Sequence, residues 1–221
     1  MKLAGGPLRR DFTVSPIARI DPSRLGSAPS VTSPFERQTA RLLLRPWRDA
    51  DRAPFAAHNA DPEVMRYFAS TLDRAASDAT VDRILAHWEQ RGWGPWAAEL
   101  RSSGEFIGFL GLLVPRFPLP GNPGVEVGWR LGRAHWGHGY ATEGAWAALE
   151  MGFGALELQE IVAVTALGNR RSRAVMERLG LRDAGIEFDH PGVPEGNAVR
   201  RHCLYRIERA EWAAANAAAP A

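Results

Sequence analysis

The chain has almost no lysine and almost no cysteine. Lys2 is the only lysine in 221 residues, so nearly all of the positive charge is arginine. The formal net charge is +2. With no dense basic block, neither nucleic acid nor a membrane surface is an expected partner. Cys203 stands alone. That excludes an internal disulfide and a cysteine-built zinc site. A single thiol also fits a reducing compartment, so a cytoplasmic protein is expected. No apolar run approaches the ~20 residues that a membrane span needs. No apolar core follows Lys2, so a secretory signal is not expected. His58, His87, His190 and His202 have no metal-ligand spacing among themselves, and no metal is expected.

What remains is ordinary globular material, 45% hydrophobic and 24% charged, of a length for which one domain is the default. Residues 1–33 are rich in Pro, Ser, Gly and Arg without sustained period, and are expected to be disordered or loosely attached. Residues 34–210 carry the periodic segments. Residues 211–221 are an alanine-rich C-terminal tail, expected to fray.

Arg41–Arg45, ended by Pro46, reads as a first strand. Asp49 caps a helix to about His58. A second helix starts at Ser77 or Asp78, with Val81, Ile84, Leu85 and Trp88 on one face, and ends at Gly92 and Gly94. Trp96–Leu100 and Phe106–Val114 form a hairpin across Arg101-Ser102-Ser103-Gly104. Val125–Leu131 is a strand that leads through a glycine turn into a helix bearing Ala141, Ala145, Ala148, Leu149, Gly152 and Leu156 near one face. Ile161–Ala166 is β-branched and apolar, a strand buried on both sides. A short helix runs from about Ser172 to Leu179, ended by Gly180. Arg182–Phe188 and Arg201–Ile207 complete the sheet. The expected class is α+β, or mixed α/β, in one domain.

The informative stretch is the turn Arg133-Ala134-His135-Trp136-Gly137-His138-Gly139-Tyr140-Ala141-Thr142-Glu143. Two glycines let successive N–H groups point inward, and the helix after them adds free N–H groups and the positive end of its dipole. The turn lacks the Lys-Ser/Thr of a triphosphate loop and the spacing of a dinucleotide fingerprint. A diphosphate such as that of coenzyme A suits bare backbone. A tight turn with glycines for sterics alone reads equally well from these residues.

Trp136–Glu143 resembles the acetyl-CoA loop of the GNAT N-acetyltransferases, within the RimJ/RimL-like branch typified by ribosomal-protein N-terminal acetyltransferases. Val125-Glu126-Val127-Gly128-Trp129-Arg130-Leu131, Asn169-Arg170-Arg171-Ser172 and Val175-Met176-Glu177-Arg178-Leu179-Gly180 resemble the same branch in the same order. The likeness runs from about Glu36 to Arg209. It implies a GNAT fold: a mixed, mostly antiparallel twisted sheet of about seven strands, splayed in the middle and flanked by helices. The strands ending at Leu131 and Ala166 would part, and the pantetheine arm of acetyl-CoA would lie between them against the backbone of Trp129 and Leu131. The loop from Trp136 through Gly137, His138, Gly139, Tyr140 and Ala141 to Thr142 would hold the diphosphate.

The chemistry implied is transfer of an acetyl group from the thioester to a primary amine, of a protein N-terminus or a small molecule. Glu126 is the candidate base. A carboxylate flanked by Val125 and Val127 is costly to bury unless it has a task or a partner, though a solvent-facing or arginine-paired glutamate is the plainer reading of its position alone. Asn169 and Ser172 read as a helix N-cap and first turn; the resemblance adds contact of Asn169 with the pantetheine and of Ser172 with the sulfur. Many GNAT enzymes have a tyrosine acid on this helix, and Met176 stands in its place, which leaves Ser172 or a water to protonate the thiolate. The rival reading is a non-catalytic acyl-CoA-binding sensor or interaction module of the same fold. The sequence names no acceptor and no oligomeric state; a homodimer is one arrangement it leaves open.

Overall fold

The computed structural model describes residues 36–217. The segment 1–33 lies outside them, as do residues 218–221 of the tail. Thirteen elements follow in order: β1 (Arg37–Gln38), β2 (Leu42–Arg45), α1 (Arg52–Ala60), α2 (Arg74–Arg91), β3 (Trp96–Leu100), β4 (Phe106–Leu113), β5 (Glu126–Leu131), α3 (Tyr140–Phe153), β6 (Glu160–Ala166), α4 (Arg170–Arg178), β7 (Arg182–Asp189), β8 (Arg201–Glu208) and α5 (Arg209–Ala217). The strands form one sheet in the order β1-β2-β3-β4-β5-β6-β8-β7. That is eight strands where about seven were expected, because Arg37–Gln38 is too short to show a period and exists only by pairing with Leu43 and Leu44.

All neighbours are antiparallel except β5 and β6. That one parallel pair is joined through α3, as a parallel pair requires a crossover. It is also where the sheet comes apart. β4 and β5 hold an unbroken register from Leu113↔Glu126 to Gly108↔Leu131, but β5 meets β6 only at Glu126↔Val162.

The sheet is covered unequally. On one face α3, α4 and α5 bury Ala145, Ala148, Leu149, Met176, Leu179 and Trp212 against Leu42, Leu110, Val127, Ile161 and Ile207. α3 packs close, since a side chain at Gly144 would collide with Leu110. On the other face α1 and α2 cover only the β2–β5 half, through Phe55, Val81 and Ile84 against Trp47, Ala97 and Phe106. The β6–β8–β7 half is lidded by Leu119 of the proline-rich loop, over Val162 and Leu204. A cleft remains where the two coverings fail to meet.

Two expected boundaries and one expected core residue differ for physical reasons. α2 starts at Arg74 because Asp73 caps it, accepting the Ala76 N–H at 2.8 Å. Ser77, expected near the start, is instead buried inside the helix and hydrogen-bonded to Asn59 of α1. Leu85, expected on the apolar face, is 38% exposed. Within the tail, α5 extends to Ala217 and buries Trp212, whose ring lies 4.4 Å from Trp146 and 5.7 Å from Phe153. One aromatic anchor docks a segment that alanine content alone would leave to fray.

A buried ion cluster pins the start of α1. Arg45 makes a two-pronged pair with Asp51, at 2.8 and 2.9 Å, and reaches Glu99 at 2.7 Å. Among the described residues no helix is long and apolar enough to cross a membrane, and no group of three or more His, Cys, Asp or Glu is placed to hold a metal ion.

Candidate active site

The cleft has a volume of about 2060 Å³, and the sequence-derived candidates line it together: Glu126, Trp129, Leu131, Trp136, Gly137, His138, Gly139, Tyr140, Ala141, Thr142, Asn169 and Ser172. The parted strands β5 and β6 bring the glycine loop, the start of α4 and the Glu126 strand to one opening.

At one end is the loop. Gly137 and Gly139 have φ of +81° and +82°, which a side chain rarely tolerates. The N–H groups of Gly137, His138 and Gly139 find no backbone acceptor among the described residues. Those of Tyr140, Ala141 and Thr142 open α3, where the first turn has none. Six consecutive amides are thus free at a helix N-terminus. The loop is held from behind. Glu143 accepts hydrogen bonds from the Thr39 hydroxyl, the Arg41 N–H and Arg41 Nε, all within 2.7 Å. Arg41 Nη1 donates to the His138 carbonyl at 2.8 Å and its guanidinium covers the Tyr140 ring. The Trp136 indole donates to the Leu131 carbonyl at 2.8 Å and is covered by Arg171. His138 is exposed and stacks on Tyr140.

At the side of the cleft is α4. Asn169 caps it, accepting the Ser172 N–H at 3.2 Å, and its amide donates to the hydroxyls of Thr165 and Ser172. Both Asn169 amide hydrogens are therefore used within the protein, while Oδ1 accepts one bond. The Ser172 hydroxyl accepts one of those bonds and keeps its own proton without an acceptor among the described residues. Met176, in the place of the family tyrosine, is buried. Of the arginine cluster, Arg173 is drawn away to Tyr205 and Asp183, while Arg170 and Arg171 border the cleft.

At the floor is Glu126. It keeps partial exposure through the cleft but is hemmed in by protein. Desolvation pushes its carboxyl up to about 7, against a smaller opposing pull from the Val164 backbone N–H of β6. Among the described residues no arginine pairs with it, which leaves the solvent-facing reading and the base. Strand alternation holds without a bulge, so Glu126, Gly128 and Arg130 share a face.

The roof is formed by residues 61–72 and 190–200, joined where Asn197 donates to the Ala69 carbonyl at 3.3 Å. Tyr67, Phe68, Phe117, His190 and His202 border this half. Phe68 is exposed at 39%, unlike the core residues Trp47, Trp93 and Trp96. His190 and His202 lie with rings 4.7 Å apart, and burial, then each other's charge at His190, lowers their pKa. Cys203 is buried and its thiol is pushed up by desolvation, away from nucleophilic character.

Sequence reading missed Arg130, Asn59 and the Thr39–Arg41–Glu143 clamp. Arg130 was legible from its alternation with Glu126; the clamp joins residues about a hundred positions apart, and nothing local announces it.

The model of the acetyltransferase (GNAT) domain family matches residues 41–182. The chain belongs to the GNAT acetyltransferases. FsC-acetyl coenzyme A-N(2)-transacetylase of Aspergillus fumigatus is 34% identical over 192 residues, spanning 79% of this chain and 76% of that protein. YkkB of Bacillus subtilis is 35% identical over 149 residues, 65% of this chain and 83% of its own. Among solved structures, an acetyltransferase from Agrobacterium tumefaciens superposes with a TM-score of 0.65 at 30% identity, over 83% of this chain and 99% of that one. RimJ of Mycobacterium smegmatis, in complex with CoA-disulfide, gives a TM-score of 0.60 at 22% identity over 79% of this chain and 89% of its own, a likeness of fold alone. The GNAT fold makes this an acyl-CoA-binding acetyltransferase in general terms; the branch and the acceptor lie beyond that.

Proposed function

We propose that this protein is an acetyl-CoA-dependent N-acetyltransferase that moves the acetyl group directly from the thioester to a primary amine, in the RimJ/RimL-like branch that its motifs resemble. One observation carries the reading: a carboxyl lifted to about 7, at the point where β5 and β6 part, in the same cleft as the free amides of the glycine loop. The named activity of the Aspergillus relative, an acetyl coenzyme A transacetylase, is of the same kind.

In this reading the backbone of Gly137–Thr142 holds the diphosphate and the pantetheine lies along the unpaired edge of β5 by Trp129 and Leu131. Glu126 takes a proton from the ammonium, directly or through water, because the protonated amine has no lone pair to attack with. The amine nitrogen bonds to the thioester carbonyl carbon, whose oxygen is stabilised by backbone N–H groups of β5. The C–S bond then breaks, the thiolate takes a proton from Ser172 or a water, and the nitrogen gives up its second proton to restore that donor. An N-acetyl amine and free coenzyme A are the products.

A buried Met176 where a tyrosine acid is common is the observation favouring the rival, a sensor that binds acyl-CoA without turnover. Incubation with acetyl-CoA and a broad amine panel, following free thiol and the acetylated product by mass, decides between them. Product formation is the expected outcome; tight acetyl-CoA binding with no thiol release from any amine would favour the sensor.

A further inference from the structure

Arg130 is a half-buried cation in the cleft wall, and among the described residues no carboxylate neutralises it. Its Nη1 donates at 2.7 Å to Asn59 Oδ1, a neutral partner. Its Nε is buried without any partner. No carboxylate lies within ion-pair reach of it among the described residues, although Arg45, Arg173 and Arg200 each have one. Its other neighbours are aromatic: the guanidinium lies 4.1 Å from the Phe68 ring centre, 5.6 Å from Phe109 and 5.8 Å from Phe55. Arg83 of α2, whose only side-chain hydrogen bond among the described residues is to the Thr80 hydroxyl, borders the same cleft, as does Arg116. Neither has an ion-pair partner among the described residues. Desolvation, then the charge of Arg83, lowers the Arg130 pKa to about 10. Desolvation, then Arg116, lowers that of Arg83.

Holding a guanidinium partly out of water with no carboxylate beside it is costly unless an anion completes it. A planar fork against aromatic walls is also the arrangement that receives a carboxylate or phosphate through two N–H groups. The geometry supplies a route between this group and the reacting centre. Glu126 and Arg130 share one face of β5 about 13 Å apart along the strand, four steps of ~3.3 Å, and Gly128 between them contributes no side chain, the space above it being bordered by the Leu113 side chain of β4.

We propose that the acceptor is an amine that also bears a carboxylate or phosphate, with Arg130 receiving the anion, Arg83 assisting, and the amine reaching over Gly128 toward Glu126 and the thioester. The inference rests on the N-acetyltransferase reading and adds the substrate class to it. Arg130 is then a specificity-determining residue. The alternative for it is purely structural, a post that props Phe68 and the 61–72 segment against Asn59.

The test compares matched acceptors: 6-aminohexanoate, its neutral amide 6-aminohexanamide, and 4-aminobutyl phosphate. The wild type is expected to favour the carboxylate or the phosphate over the amide by about 10-fold or more in kcat/KM, in keeping with a charge-assisted pair; which anion leads identifies the group. Arg130→Gln should level the three acceptors while acetyl-CoA affinity stays within about 2-fold. Arg83→Gln, on an exposed position of α2 that leaves the core intact, should reduce the preference several-fold. Equal rates for amide and anions in the wild type, or a preference that survives Arg130→Gln, would overturn the proposal. Calorimetry with hexanoate and hexanamide on the CoA-loaded protein separates the two levels. If hexanoate binds the wild type but not Arg130→Gln while no amine is turned over, the anion site stands and the transfer reading fails. If hexanoate and hexanamide bind alike while amines are acetylated without preference, the transfer reading stands and the anion site fails.

Discussion

Glu126 and Arg130 occupy the same face of β5, on either side of Gly128, in a register with β4 that does not break between them. Among the described residues neither has an opposite charge beside it, and burial moves each toward its neutral form, the carboxyl up to about 7 and the guanidinium down to about 10. A carboxyl and a guanidinium thus stand unpaired on one strip of the cleft.

Glu126→Gln should lower turnover by ~10²-fold or more, the usual scale for a general base, with acetyl-CoA affinity little changed. In the wild type, kcat/KM should rise with pH through about 7 as the carboxylate forms. The deficit of the variant should shrink toward high pH, where the free amine becomes abundant. Normal turnover by Glu126→Gln at pH 7 with a high-pKa acceptor would move the search to the Asp61–Phe68 and Phe188–His190 segments, of which Glu63–Phe68 and His190 border the same cleft.

The same residue gives a stability signature. Its folded pKa is raised from 4.5 to about 7, so between those values the folded state holds a proton that the unfolded state has lost. Stability from this group is full below about pH 4.5 and is lost as pH rises through about 7. The melting temperature of Glu126→Gln relative to wild type should therefore climb from pH 5 to pH 8. A flat difference across that range would show that the carboxyl titrates normally.

Glu143 should behave in the opposite sense. Its burial raises its pKa, but the bonds from Thr39 and Arg41 outweigh that and hold it below the ordinary value. Its contribution is present at neutral pH and is lost as pH falls below about 4.5 and through the folded value. Glu143→Gln should melt lower than wild type at pH 7, by a margin that narrows toward pH 3. Its acetyl-CoA affinity should fall several-fold, because the glycine loop loses its rear support. Unchanged melting at pH 7 would show that the clamp does not bear on the fold.

Gly139→Val should remove acetyl-CoA binding, since the added side chain would press on Arg41, whose Nη2 lies 3.4 Å from the new Cβ, and the left-handed backbone that presents the amides would be strained. The left-handed φ adds ~1–2 kcal/mol of strain, so a control with the same strain is needed. Gly104→Val supplies it, at φ +72° in the β3–β4 turn with open space around it. Calorimetry should find binding lost by at least 10-fold only in Gly139→Val. Equal affinities would sink the phosphate-loop assignment.

Trp212→Ala tests the C-terminal helix. Trp212 is 8% exposed and packs on Trp146 and Phe153. Removing a buried tryptophan typically costs about 3–5 kcal/mol. Urea unfolding that shows less than about 1 kcal/mol would mean that α5 is only loosely docked.

Much of this was written locally. The alternation of Val125–Leu131, the double glycine before Tyr140, and the cap-and-glycine punctuation of α4 are short-range patterns whose physics acts within a few residues. They therefore located the strand, the loop, the helix and the cluster of candidates that line one cleft. The element boundaries slipped where side chains chose between neighbours, as Asp73 did over Ser77 at the start of α2.

What the sequence determined is the family resemblance, the mixed fold and a glutamate on an apolar strand. What only the tertiary structure decided is the state of that glutamate and of the arginine beside it. The sequence has 26 arginines in addition to Lys2 within its count of 27 basic residues, any of which stood ready to neutralise Glu126. Whether one does depends on distances set by the parting of β5 from β6 and by the loops that roof the cleft. Charge in a protein interior is governed by its nearest partners and its access to water, and both are properties of chain segments brought together from far apart in sequence.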